Sequence, residues 1–163
     1  AAMFGHTDTI ALLLDNGLDI NHQDSERWTP LTFAASYGHD NGVRALIDVG
    51  TDVDTVDVHG LTVLHYAARG CHATTIETLI SAGLNAEAVD KCFRQPIHIA
   101  AQMNNAKAVK ALVDHGANVH AIAEKGWTPL HYAAQHGGPE AVQMLLQLGA
   151  SANARAVMGM MPI

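Results

Sequence analysis

Apolar residues along this chain recur at helical spacing, stop, and start again. Val142, Leu145 and Leu146 stand at the i, i+3, i+4 spacing of a helix that buries one stripe. Just before them, Leu130, Ala133 and Ala134 mark a second, shorter packing face. Local chemistry brackets both segments. Thr128 is a good N-cap, and Pro129 has no N–H to leave unpaired at the first helical position. The pattern therefore predicts a short helix from Pro129 to about His136. Gly137-Gly138 breaks it, and Pro139 opens a second helix predicted to run to about Leu148. Gly149 then supplies the left-handed residue that commonly closes a helix.

This pattern returns every 33 residues. Thr29-Pro30-Leu31-Thr32 comes back as Thr62-Val63-Leu64-His65, Gln95-Pro96-Ile97-His98 and Thr128-Pro129-Leu130-His131, with a last fragment Met161-Pro162-Ile163. Ala-Ala pairs keep the same step at 1–2, 34–35, 67–68, 100–101 and 133–134, and a glycine does so at 17, 50, 83, 116 and 149. A 33-residue period carrying Thr-Pro-Leu-His and Ala-Ala resembles the ankyrin repeat. The resemblance covers the whole chain. It implies an all-α solenoid of stacked helix-turn-helix units with projecting β-turn or hairpin fingers. The units expected are a partial copy at 1–22, full copies at 23–55, 56–88, 89–121 and 122–154, and the start of another at 155–163. Neither end carries the polar cap that repeat arrays need, so the array is expected to continue into further repeats or domains at both ends.

Departures from the pattern fall at defined slots. The turn before the Thr-Pro motif has Gly60, Gly126 and Gly159, but Arg27 and Phe93 in the other copies. If that turn needs positive φ, each replacement costs about 1–2 kcal/mol. The glycine between paired helices is Gly5, Gly38 and Gly137, but Cys71 and Asn104 elsewhere. Gln95 takes the Thr cap slot, which makes the 89–121 copy the most divergent. Drift in a tolerant repeat and a functional adjustment both account for these changes.

Charge and composition then narrow the function. Nine Lys and Arg against sixteen Asp and Glu leave a net charge of −7, which argues against a general nucleic-acid binder. No apolar run approaches the ~18 residues of a membrane span, so no membrane insertion by this segment is expected. Two cysteines, Cys71 and Cys92, do not make a disulfide framework; a reducing, intracellular setting, cytoplasmic or nuclear, is the simpler expectation.

Eleven histidines invite a metal hypothesis. The repeat explains six: His65, His98 and His131 in the Thr-Pro-Leu-His slot, where the resemblance implies hydrogen bonds between units, and His6, His39 and His72 at the helix junction. No pair has metal-ligand spacing, and Ser25, Ser36 and Ser81 lie outside any nucleophile elbow. No metal, cofactor or catalytic activity is expected. Leu13, Ile20 and Asn21 match the spacing of asparaginyl hydroxylation substrates that ankyrin fingers resemble, which makes Asn21 a candidate modification site; an ordinary turn asparagine is the favoured explanation.

In the ankyrin pattern, the concave face is built from finger tips and the exposed side of the first helix. Carried over slot by slot, this places Trp28, Leu61, Arg94 and Trp127 just before the Thr-Pro motif, and Phe4, Tyr37, Arg69, Met103 and His136 on the first helix. His59, Lys91 and Lys125 fall at the outer tips; in the last copy Met158 takes that slot and Met160 the one just before the motif. Helix packing within a unit asks for no aromatic at 28, 37 or 127, and Trp, Tyr and Arg are enriched at interface hot spots. Packing of the two Trp on neighbouring fingers is the competing explanation. With Arg69, Lys91 and Arg94 at the centre, the surface suits another protein, or an extended peptide with an acidic residue between apolar anchors. A protein-interaction module is the leading expectation. A regulatory or mechanical segment of a larger channel or enzyme, and a small-ligand sensor on the aromatic face, stay open.

Overall fold

The computed structural model describes residues 1–136, 138–157 and 161–162. Gly137, Met158, Gly159 and Met160, to which the repeat assigns turn and tip slots, and Ile163, in the last Thr-Pro-Leu fragment, lie outside the described residues. Nine helices follow one another among those described: α1 Thr7–Asp15, α2 Pro30–Ser36, α3 Asp40–Asp48, α4 Val63–Arg69, α5 Ala73–Ser81, α6 Pro96–Gln102, α7 Ala106–Asp114, α8 Pro129–Gln135 and α9 Pro139–Gln147. Ala2–Phe4 and Glu124–Gly126 form single 3₁₀ turns. The fold is an all-α stack. Helices α2, α4, α6 and α8 pack side by side as the inner layer, and α3, α5, α7 and α9 pack behind them.

Side-chain size sets this arrangement. Ala34-Ala35, Ala67-Ala68 and Ala100-Ala101 are fully enclosed between inner helices, where nothing larger than a methyl fits at close approach. Leu46, Leu79, Leu112 and Leu145 come from the outer helices, and each is 0% exposed. Burying such a side chain contributes roughly 1.5–3 kcal/mol. These contributions are spread along one continuous core running the length of the stack, because each helix pair touches chiefly its neighbours.

Histidines bond the units to one another. His65 accepts the Thr62 N–H at Nδ1 (3.1 Å) and donates from Nε2 to the Arg94 carbonyl in the next finger (2.9 Å). His98 accepts the Gln95 N–H (3.0 Å) and donates to the Ala121 carbonyl (3.2 Å). Thr32 replaces histidine in the α2 copy and bonds only Thr29 (3.1 Å). Burial disfavours the charged imidazolium, so His65 is pushed below the usual histidine range and His98 down to about 4.

The turns do hold positive φ where glycine is missing. Arg27 stands at φ 66°, Phe93 at 56°, Cys71 at 68° and Asn104 at 55°. Gly60, in the slot of Arg27 and Phe93, stands at φ 82°. An adjacent residue, Lys125 at φ 60°, joins Gly126 at 75° in the fourth finger. Gln95 donates its backbone N–H to His98, and its side-chain oxygen is buried without a partner among the described residues.

Two outcomes follow from this packing. Phe93 is 60% exposed, so Phe93→Gly removes left-handed strain while losing little burial. Chemical denaturation is expected to show a gain of about 1 kcal/mol; a loss would show that the ring stabilises the turn. The second concerns acid. Between pH 6.5 and about 4 the unfolded chain binds a proton at His98 that the folded chain refuses. Stability from this group is therefore complete above pH 6.5 and falls as pH drops, by about 1–2 kcal/mol on reaching pH 5. His98→Gln should flatten that slope in urea unfolding, and an unchanged slope would assign it to other groups.

Candidate partner-binding surface

The concave surface begins with how each finger closes. Asp57 accepts the backbone N–H of His59 (2.8 Å) and Leu61 (2.7 Å) at one oxygen and the Tyr66 hydroxyl (2.7 Å) at the other. Asp90 accepts the N–H of Cys92 and of Arg94, each at 2.8 Å. Asp24 does the same for Glu26 and Trp28 at 2.9 Å. In the second and third fingers a buried carboxylate, Asp57 or Asp90, thus satisfies turn donors that water would otherwise have to reach, whereas Asp24 in the first finger is exposed. The fourth finger has Ala123 in this slot, and its Trp127 N–H turns to the Glu124 carbonyl (3.2 Å). Consecutive fingers are joined backbone to backbone: Val58 N–H to the Glu26 carbonyl (3.3 Å), Lys91 to His59 (3.1 Å) and Glu124 to Cys92 (3.2 Å).

Between these fingers and the ends of the inner helices lie two cavities. One, of about 440 Å³, has Trp28, Phe33, Tyr37 and Tyr66 on its walls and Glu26 at its rim. The next, of about 370 Å³, lies one unit along and is lined by Leu61, Lys91, Arg94, Ile99, Gln102 and Met103. His59, Tyr66 and Arg69 line both, so the two form one groove. Burial and the Asp57 hydrogen bond push the Tyr66 phenol well above its ordinary range, which keeps that hydroxyl a donor at neutral pH.

Eight of the residues expected on this face line the groove: Trp28, Tyr37, His59, Leu61, Arg69, Lys91, Arg94 and Met103. Lys125, Trp127 and His136 lie one unit further on and line neither cavity. His136 accepts from the Gln102 amide (3.2 Å). Phe4, 65% exposed, belongs to a third, apolar cavity of about 370 Å³ with Met3, Leu13, Leu18, Ile20 and Trp28. Leu13 there is 42% exposed, whereas Leu46, Leu79, Leu112 and Leu145 at the same slot are sealed by the preceding helix. That cavity adjoins the first groove cavity, since Asp24, Trp28 and Phe33 line both, but its lining is more apolar. Asn21 accepts from the Thr51 hydroxyl and the Asp52 N–H, both at 2.9 Å, tying two units together.

Two expectations need correction. Packing does use the tryptophans. Trp28 lies against Phe33 (ring centroids 5.0 Å apart) and edge-on to Tyr66 across the unit boundary (4.3 Å). Trp127 packs against Tyr132 at 5.3 Å, and its indole nitrogen is buried without a partner among the described residues. Arg94 is not a free cation either. Its Nη2 and Nε lie 2.7 and 2.8 Å from one oxygen of Asp90, whose side chain is 2% exposed. Tyr66 was not anticipated as a groove residue, whereas the slot pattern puts Glu26 at an outer tip and Gln102 on the exposed side of the first helix. Asp24, Asp57 and Asp90 carried a visible signal, since they stand 33 residues apart.

Among the described residues, no three His, Cys, Asp or Glu side chains gather as a metal-ligand set. No helix among them is long and apolar enough to cross a membrane. The family model for ankyrin repeats (3 copies) matches residues 1–90 and 74–156. No curated protein matches the chain.

The split between packing and exposed aromatics gives a direct check. Trp28→Ala should cost roughly 1–2 kcal/mol, below the 3–5 kcal/mol of a fully buried Trp because the ring is half-buried. Tyr37, 48% exposed, should lose about 0.5 kcal/mol or less on change to Ala. Equal melting shifts for the two variants would contradict the placement of Trp28.

Proposed function

Because the chain belongs to the ankyrin-repeat family, we propose that it is a protein-interaction module holding an extended segment of a partner protein in the concave groove. Ankyrin repeats generally serve as protein–protein interaction modules, and this chain adds a specific surface to that role. The observation that carries the reading is the joining of two cavities through His59, Tyr66 and Arg69. One such cavity suits a single side chain. Two in line, spaced by one helix-packing step of about 8–10 Å, suit successive anchors of an extended chain.

The groove walls match that use. Tyr37 and Met103 are exposed at 48% and 41%, a large apolar surface at opposite ends. Arg69 makes no ion pair among the described residues, so its charge is available to a partner. Backbone bonds between fingers hold the walls at fixed spacing, and a preformed site avoids much of the ordering cost of association. Cys71 and Cys92 are both free and exposed, which fits a reducing cytoplasmic or nuclear setting.

A quantitative pull-down with the purified chain tests the reading. Tyr37→Ala, Arg69→Ala and Met103→Ala should each reduce recovery of the same partner about tenfold or more, the scale of a hot-spot truncation. Lys107→Ala, on the exposed side of α7, should leave recovery unchanged. Loss of the partner with Lys107→Ala and retention with all three groove variants would overturn the concave-face assignment.

A further inference from the structure

Charge is sorted along the groove. The cavity between the first two fingers is lined by the carboxylates of Asp24, Glu26 and Asp57, set among aromatic rings. In the next cavity the ionised side chains are Arg69, Lys91 and Arg94 against a single carboxylate, Asp90. Asp90 neutralises Arg94. What remains facing the groove is Arg69 and Lys91, in a protein of net charge −7. Lys91 donates one of its three N–H bonds to the Val58 carbonyl (2.7 Å), which fixes the ammonium above this cavity with donors to spare. Arg69 stands at the boundary, lining both cavities.

We propose that the groove reads charge order: the partner segment places a basic side chain in the aromatic first cavity and a carboxylate against Arg69 and Lys91 in the second. This rests on the reading of the groove as the partner site, and goes beyond it by specifying the partner's sequence chemistry. Three observations support it. The exposed Tyr37 ring and the half-buried Trp28 and Phe33 rings offer π faces to a cation. Glu26 is exposed at the rim and makes no ion pair among the described residues, whereas Asp24 and Asp57 are engaged by turn donors. The cavities are one unit apart, about 8–10 Å, which an extended chain rising 3.3 Å per residue spans in roughly three residues. The partner motif is therefore a basic and an acidic residue about three positions apart. A segment with two acidic residues would put a carboxylate against Glu26, and a segment with two basic residues would put a cation against Arg69.

Four blocked hexapeptides test this, each with charged residues at positions two and five on an Ala/Gly background: Arg…Glu, Glu…Arg, Arg…Arg and Glu…Glu. Binding to the full chain is read from the Trp28 indole N–H resonance at low salt. One of the two mixed peptides is expected to bind about five- to tenfold more tightly than its reverse, with both like-charge peptides weaker. In the double variant Glu26→Lys/Arg69→Glu the preference should pass to the reverse peptide, with melting temperature unchanged because neither side chain makes an ion pair. Equal binding of all four peptides, no binding by any, or a preference that survives the double swap overturns the proposal. In those cases partner recovery with Tyr37→Ala and Met103→Ala still decides the groove assignment, so the two readings fail separately.

Discussion

A neutral imidazole inside the stack is the constraint on which the rest depends. His65 and His98 each take a hydrogen bond from the cap of their own helix and give one to the backbone of the following finger. Each bond sets the finger at a fixed height over the helix behind it. Because the receiving carbonyls belong to Arg94 and Ala121, the groove wall of one unit is held by the core of the unit before it. A charged imidazolium would lose its acceptor role at Nδ1 and sit desolvated, which is why burial drives both residues toward the neutral form. Alanine pairs and leucines supply burial; the histidines supply registration.

The finger aspartates convert that registration into a surface. A carboxylate at the root of each of the first three fingers, buried in the second and third, gathers the turn donors, so the tips are held in place by the fingers themselves. The same carboxylates decide which groove charges are available. Asp90 consumes the charge of Arg94 and Asp57 consumes the Tyr66 hydroxyl, leaving Arg69, Lys91 and Glu26 to face a partner. The fourth finger, with Ala123, departs from this scheme and pairs its turn through backbone alone.

Much of this was legible in the sequence because the repeat is a backbone property written in small residues. The Thr-Pro start of α8 and the left-handed Arg27 and Phe93 follow from local chemistry that needs no neighbour, while the role of the histidine slot came from the resemblance to the repeat family. The groove was harder. Slot arithmetic placed Trp28 and Arg94 on the concave side but could not show that Tyr66 crosses the unit boundary to meet the indole, or that Asp90 claims the guanidinium. Both are contacts between side chains whose rotamers are set by packing, and they turn two expected recognition groups into partly structural ones. Glu26 falls in an outer-tip slot, but its part in the charge pattern is visible only once neighbouring tips are brought together.

The central claim is that partners enter the concave groove. Site-specific photo-cross-linking tests it most directly, with a benzophenone side chain at position 37 or 103 in the groove and at position 107 on the exposed side of α7. The account predicts the same partner adduct from both groove positions and none from 107. An adduct from 107 alone would contradict it.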